Sequence, residues 1–235
     1  MARTDAIDTI AGKHNFNLAN SAARILQSNS YRDLSTVWVT PSPDGKLDAQ
    51  VVFQSWLALS MPMNQKVMRL VVANGEVGKA YDAAVEMILR DSVPWKYMLT
   101  VEHDNLPPRD GLLKLYESIG KYDAVGGLYW MKGENGTPMI YGNPATPGEF
   151  QPLVPLTDTV QACNGLGMGF TLFNVEMFRK LPKPWFSTVE KTGEHPFEGT
   201  QDLFFFEKAA RAGYKFACDN RVKVGHIDFL TREIY

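Results

Sequence analysis

Three ionisable residues in a row, Glu102-His103-Asp104, end an otherwise apolar stretch. Before them, Tyr97-Met98-Leu99-Thr100-Val101 reads as a short buried strand, and Pro107-Pro108 prevents its continuation. Carboxylates at the carboxyl end of a strand lie where open α/β sheets bind ligands, and their oxygens suit a divalent cation. A solvated strand end that happens to be acidic accounts for the same residues. Asn164-Gly165-Leu166-Gly167-Met168-Gly169 places glycine at alternate positions, so the backbone there can approach a ligand or simply turn before a strand. It is no dinucleotide fingerprint, because a strand rather than a long helix follows it. Glu198-Gly199-Thr200-Gln201-Asp202 opens a helix, where Asp202 is either a base or a residue that favours the helix dipole. Gly225-His226-Ile227-Asp228 follows the last expected strand, and His226 is either a ligand or a structural histidine.

The elements that must position these residues follow from periodicity. Strands are expected at 36–40, 67–73, 97–101, 124–130, 170–174, 215–218 and 222–224, the last two joined by an Asp219-Asn220 turn. Helices are expected at 18–27, 51–59, 78–90, 110–119, 175–180 and 201–212, the last stopped by Gly213. Asn135-Gly136 signals a hairpin between Tyr129-Trp130 and Met139-Ile140-Tyr141. Residues 142–161 are proline-rich and expected to be irregular. Residues 184–199 are expected to form a mobile lid opened by Trp185-Phe186. Strand and helix alternate in the first half, which argues for a mainly parallel sheet between helices. The second half is less regular, so the reading is one α/β domain, with a nucleotide-binding half at about 30–130 and an acceptor half at about 131–235.

Composition is that of a soluble globular chain, 45% hydrophobic and 21% charged, and 235 residues can bury a full core. A net charge of -2 argues against a globally basic nucleic-acid footprint. Two cysteines, Cys163 and Cys218, give no disulfide framework, so a reduced, cytoplasmic setting is expected. No apolar run is long enough to span a bilayer, and the N-terminus lacks a secretory apolar region.

In their order and spacing the motifs resemble the GT-A glycosyltransferases, especially the family 2-like nucleotide-sugar enzymes, over about residues 36–228. Thr40-Pro41 matches the turn that ends the family's first strand, and Glu102-His103-Asp104 its Asp-x-Asp motif. The segment from Gly165 to Lys180 matches a Gly-rich stretch before a strand and short helix. Trp185-Phe186 matches a Trp-Phe loop. Gln201-Asp202 matches a Glu-Asp pair opening a helix that ends here in Ala212-Gly213-Tyr214, and His226 matches a histidine after the last strand.

The resemblance implies a Rossmann-like GT-A sheet and a nucleoside-diphosphate sugar donor, UDP- or GDP-linked. It also implies Mn²⁺ or Mg²⁺ held by Asp104, His226 and Glu102. Donor contacts are implied at Thr40, Pro41, Ser42, Asn74, Lys79, Asp82, Glu102, His103, Gly167 and Trp185. Asp202 is implied as the base of an inverting transfer, its carboxylate kept ionised by the helix N-terminus; a retaining transfer, in which Asp202 would orient the acceptor or donor sugar instead, is the less favoured alternative. For Lys79 and Asp82 a solvated helix face is the alternative, and for Trp130 and Trp185 a buried core. The sequence departs from the pattern in having Glu102 for the first acid and Gln201 for the glutamate of the pair. A nucleotidyltransferase and a non-catalytic carbohydrate-binding module are the competing readings. The compact format also resembles bacteriophage glycosyltransferases, some of which glucosylate modified DNA bases; the location would then be the host cytoplasm. The acceptor stays open among small metabolites, polysaccharide, protein and modified DNA, although the acidic balance opposes the last.

Overall fold

β-Branched and aromatic residues at 36–40 build a strand whose neighbours in space come from distant parts of the chain. In the computed structural model, which describes residues 32–73, 75–146, 148–188 and 200–235, this strand is β1, Thr36–Ser42. The chain divides into two units, Met1–Asp33 and Leu34–Tyr235, and all the elements below belong to the second. The expected helix at 18–27 lies outside the described residues.

Chain order continues with α1 (Ala49–Gln54), β2 (Val67–Ala73), α2 (Val77–Arg90), β3 (Tyr97–Val101), β4 (Asn105–Leu106), α3 (Gly111–Ser118), β5 (Ala124–Leu128), β6 (Ile140–Tyr141), β7 (Val160–Cys163), β8 (Gly165–Leu166), β9 (Phe170–Asn174), α4 (Val175–Lys180), α5 (Gln201–Arg211), β10 (Phe216–Lys223) and β11 (Gly225–His226). A 3-10 turn at Trp56–Ala58 follows α1. Seven strands form one sheet in the order β2-β1-β3-β9-β5-β10-β7. β1, β2, β3, β5 and β10 run in one direction, while β9 and β7 run against their neighbours. Five strand ends therefore share one edge of the sheet, and the start of β9 joins them, with Phe170 opposite Val101.

Alternation along the strands sorts side chains onto two faces. Val37, Val39, Met98 and Phe173 join one buried core with Tyr81, Val85 and Ile88 of α2 and Phe205 and Phe206 of α5. Trp38, Leu99 and Leu172 join the other with Leu112, Leu115 and Tyr116 of α3. Helices thus cover both faces, the arrangement that a mainly parallel sheet requires. Helix α2 is capped by Glu76, whose carboxylate accepts from the amides of Gly78 and Lys79 at 2.9 Å each. Helix α5 ends before Gly213, whose φ of +89° suits a residue with no Cβ.

Three expectations about elements change. The Asp219-Asn220 turn is instead the interior of one strand, β10, whose register against β5 shifts between Asp219 and Lys223. Most of its buried polar atoms have partners, the Asn220 side-chain oxygen excepted. Asp219 takes the Arg221 guanidinium at 2.6 and 2.8 Å, and the Asn220 amide donates to Leu156 O and Gln161 Oε1. Part of the segment expected to be irregular pairs as β7 along the outer edge of β10. The hairpin after β5 forms, but its turn runs from Gly133 to Gly136, closed by Gly136 N donating to Gly133 O at 3.0 Å. A Cβ on Gly136 would fall 2.0 Å from Met131 O, so no larger residue fits there. Among the described residues no helix is long and apolar enough to cross a membrane.

Candidate active site

Glu102, His103 and Asp104 leave β3 at the shared strand edge. Glu102 N donates to Gly169 O at 3.1 Å, and Asn105 N turns back onto Glu102 O at 3.0 Å. β4 then pairs antiparallel with β11, setting Asn105 opposite His226. Ile227 N donates to Asp104 O at 2.9 Å. This two-stranded ladder carries His226, 122 residues away in sequence, to 3.3 Å from Asp104 Oδ2 through its Nε2. The other ring nitrogen, Nδ1, lies 2.8 Å from the carbonyl oxygen of Trp130. A carbonyl can only accept, so Nδ1 carries the proton and the ring is fixed with Nε2 toward Asp104. Tyr129 meets the imidazole edge-on at 5.4 Å.

Lys132 completes the cluster. The hairpin after β5 places its ammonium 2.5 Å from Asp104 Oδ2 and 5.7 Å above the Phe229 ring. Burial acts to raise the Asp104 pKa, but hydrogen bonds and charge from His226 and Lys132 outweigh it and hold the carboxyl well below the usual range. Sequence reading missed Lys132. Its only local signal is its position just past β5, which ends on the shared strand edge.

Glu102 is not drawn into this cluster. Its carboxylate accepts from the Tyr81 hydroxyl at 3.2 Å. Among the described residues no three His, Cys, Asp or Glu side chains gather to hold a metal. The side chain keeps some solvent access, yet burial dominates its chemistry. Burial, then the charges of Asp104 and Asp202, push its pKa up to about 8.

Asp202 stands at the second position of α5 and is 5% exposed. Its charge is felt at Glu102, Tyr81, Tyr129 and Tyr141, so it belongs to the same electrostatic neighbourhood. Thr200 Oγ1 and Leu203 N donate to its Oδ1. The expectation that the helix N-terminus lowers its pKa is corrected: burial raises the pKa, and these hydrogen bonds offset only part of the rise.

Several expected donor contacts are spent on the fold. Thr40 is buried, and its hydroxyl accepts from Trp38 Nε1 at 2.8 Å. Pro41 and Ser42 continue β1 opposite Val72 and Ala73, and the Ser42 hydroxyl donates to Lys46 O at 2.7 Å. Asp82 accepts from the amides of Trp185 and Phe186 at 3.1 and 2.9 Å. Trp185 is buried in the core, with Nε1 donating to Phe178 O and Leu181 O. It is an anchor rather than a stacking platform, because its only polar atom is used inside. A Cβ on Gly167 would lie 2.1 Å from the Tyr129 hydroxyl, so the glycine makes room for Tyr129. His103 packs against Phe229, centroids 5.6 Å apart. Lys79 is exposed on α2. Asn74 and residues 189–199 of the expected lid lie outside the described residues, while the start of that segment is held by Asp82 and by Thr188 donating to Glu76 at 2.9 Å.

Strand order, the reversed strand β9 within an otherwise parallel centre, and the acidic turn after β3 define a GT-A fold of Rossmann-like type. Solved structures share it. A197 from STIV superposes with a TM-score of 0.62 at 17% identity, over 85% of this chain and 92% of that one. GalNAc-T7, solved with UDP, GalNAc and Mn²⁺, gives 0.54 at 12% identity, over 85% of this chain and 45% of its own, so this chain spans under half of its length. At such identities the likeness is one of fold. No protein-family model matches the chain, and no curated protein matches its sequence.

Proposed function

We propose that the chain is a glycosyltransferase that moves a sugar from a nucleoside-diphosphate donor, a UDP- or GDP-sugar, to an acceptor hydroxyl. The observation that carries this reading is the Asp104–His226–Lys132 cluster at the carboxyl edge of a GT-A sheet. Sugar transfer asks two things of a protein: positive charge where the diphosphate departs, and a base at the acceptor hydroxyl. In this reading a cation held by the cluster serves the first need, and Asp202 the second.

The residues fit a divalent ion, Mn²⁺ or Mg²⁺. With Nδ1 donating to the Trp130 carbonyl, His226 presents Nε2 beside the Asp104 carboxylate, so an ion that replaces the Nε2 proton would find a nitrogen and an oxygen donor side by side. The Lys132 ammonium already stands in for one there. Two protein donors are enough where substrate phosphates complete the coordination. Asp104 and His226 would hold the ion, which when bound would supply Lewis-acid stabilisation of the departing charge. The fold likeness to GalNAc-T7, solved with UDP, GalNAc and Mn²⁺, lends support.

Asp202 acts in this reading as the base of an inverting transfer. Burial raises its pKa, which strengthens it as a proton acceptor compared with an ordinary exposed aspartate. Glu102, largely protonated near neutral pH, can donate a hydrogen bond to a donor hydroxyl. Residues of about 30–130 provide the strand edge for the nucleotide, and those of about 131–235 supply His226, Lys132 and Asp202.

The test is incubation with UDP- and GDP-sugars in Mn²⁺, preceded by a thermal-shift screen, since a ligand bound to the folded state raises Tm. Free nucleoside diphosphate, released slowly to water and faster with acceptor, is the expected product. Pyrophosphate would identify a nucleotidyltransferase instead. No Tm shift with any nucleotide sugar would overturn the reading.

A further inference from the structure

We propose that Lys132 is the resident counter-cation of the Asp104–His226 pair, which a divalent ion must displace in order to bind. The inference deepens the metal-dependent reading above and rests on it for its biological meaning. Its physical basis is the geometry alone.

Lys132 Nζ lies 2.5 Å from Asp104 Oδ2, the same oxygen that faces His226 Nε2 at 3.3 Å. One carboxylate oxygen thus carries both contacts. A divalent ion bonds carboxylate oxygen at ~2.0–2.6 Å. An ion on that oxygen would stand within a few ångström of the ammonium, where like charges in a partly buried site repel strongly. The two cannot share Oδ2, so they compete for it.

The fold makes Lys132 movable. It sits on the hairpin just before Gly133, whose φ is +102°, and its side chain is 30% exposed. A lysine stem is flexible and carries a compact charge. Besides the charge of Glu102, the ammonium meets the Phe229 ring at 5.7 Å and the nearby charge of Asp228. Both lie on the C-terminal segment after β11 and offer somewhere for the displaced cation to rest. His226, by contrast, is fixed through Trp130 O, and Asp104 through the backbone bond from Ile227. The cluster therefore pairs two rigid donors with one mobile cation. Metal bound alone has to overcome Lys132. Metal arriving with a diphosphate does not, because the phosphate oxygens give the released ammonium an anionic partner.

The experiment titrates Mn²⁺ alone into the full chain and follows free Mn²⁺ by electron paramagnetic resonance, with no nucleotide present. Lys132→Met should bind Mn²⁺ at least about tenfold more tightly than wild type, and Lys132→Arg should stay as weak as wild type. Lys132→Gln serves as a second neutral variant if Lys132→Met melts early. Equal Mn²⁺ affinity in wild type and both neutral variants would overturn the proposal, as would no binding by either neutral variant. Because these arms contain no nucleotide, failure here is distinct from failure of sugar transfer, which the nucleotide-sugar screen reads.

Discussion

At the scale of single residues the site is a set of carboxylates driven to opposite protonation states. Asp104 is held ionised by His226 and Lys132, whereas Glu102, two residues earlier, is pushed up to about 8 by burial and by its acidic neighbours. A carboxyl whose folded pKa exceeds its unfolded value of 4.5 contributes stability that is fully present below 4.5 and is lost as pH rises through about 8. In metal-free buffer, wild-type stability measured by urea denaturation should therefore fall across that window, by on the order of a few kcal/mol. Glu102→Gln should flatten the fall, and an unchanged slope would return Glu102 to an ordinary ionised state. Asp202 also has a raised pKa, and here the consequence is kinetic. Asp202→Asn keeps size and most hydrogen bonding but removes the proton acceptor. Donor binding measured by calorimetry should stay near wild type, while transfer falls ~10²–10⁴-fold, the usual cost of losing a general base. Transfer at the wild-type rate would remove Asp202 from that role.

At the scale of elements, short pairings do the positioning. The β4–β11 ladder fixes His226 against Asp104, and the hairpin after β5 delivers both the Trp130 carbonyl and Lys132. Both pieces are anchored by apolar side chains: Tyr129 and Ile140 of the hairpin are buried, and so is Ile227 just after β11. The segment before α5 works differently. Trp185 and Phe186 drive into the core formed by Phe178 and Phe205, and Asp82 binds both of their amides. This segment is thus clamped at its start. Trp185→Ala should cost ~3–5 kcal/mol of stability, the range for truncating a buried large aromatic. Nucleotide-sugar affinity of the folded protein should hardly change. Little loss of stability together with lost binding would restore Trp185 to the ligand side.

At the scale of the whole molecule, the sheet gives a reason for the site's location. Five strands end on one edge, and the reversed strand β9 begins there, so turns from both halves of the sequence converge. Helices on both faces take the apolar side chains and leave that edge to polar ones. A net charge of -2 gives an anionic donor no help from the overall field, and Asp104 and Lys132 cancel, so in the proposed reading the attraction would come from a cation bound at this cluster and from the ammonium it releases. That is why the disposition of one ammonium, Lys132, matters to the proposed chemistry more than its sequence neighbourhood suggests.

The sequence by itself determined the strand β3, the acidic turn after it, the alternation of strand and helix, and the position of Asp202 at the start of α5. These rest on local periodicity and on prolines and glycines, whose effects act within a few residues. Only the tertiary structure decided which of those residues meet. Asp104 and His226 come together through a ladder that spans most of the chain, and Lys132 joins them from a hairpin with no motif to mark it. The same holds for burial. Asp219 and Asn220 look like a turn but lie inside a strand, where Arg221 pairs with the Asp219 carboxylate and Leu156 and Gln161 accept from the Asn220 amide nitrogen. Trp185 looks like a stacking residue but fills the core. Asp202 looks ionised by its helix but is shifted the other way, because desolvation depends on everything packed around a carboxyl and the helix end is only one part of that.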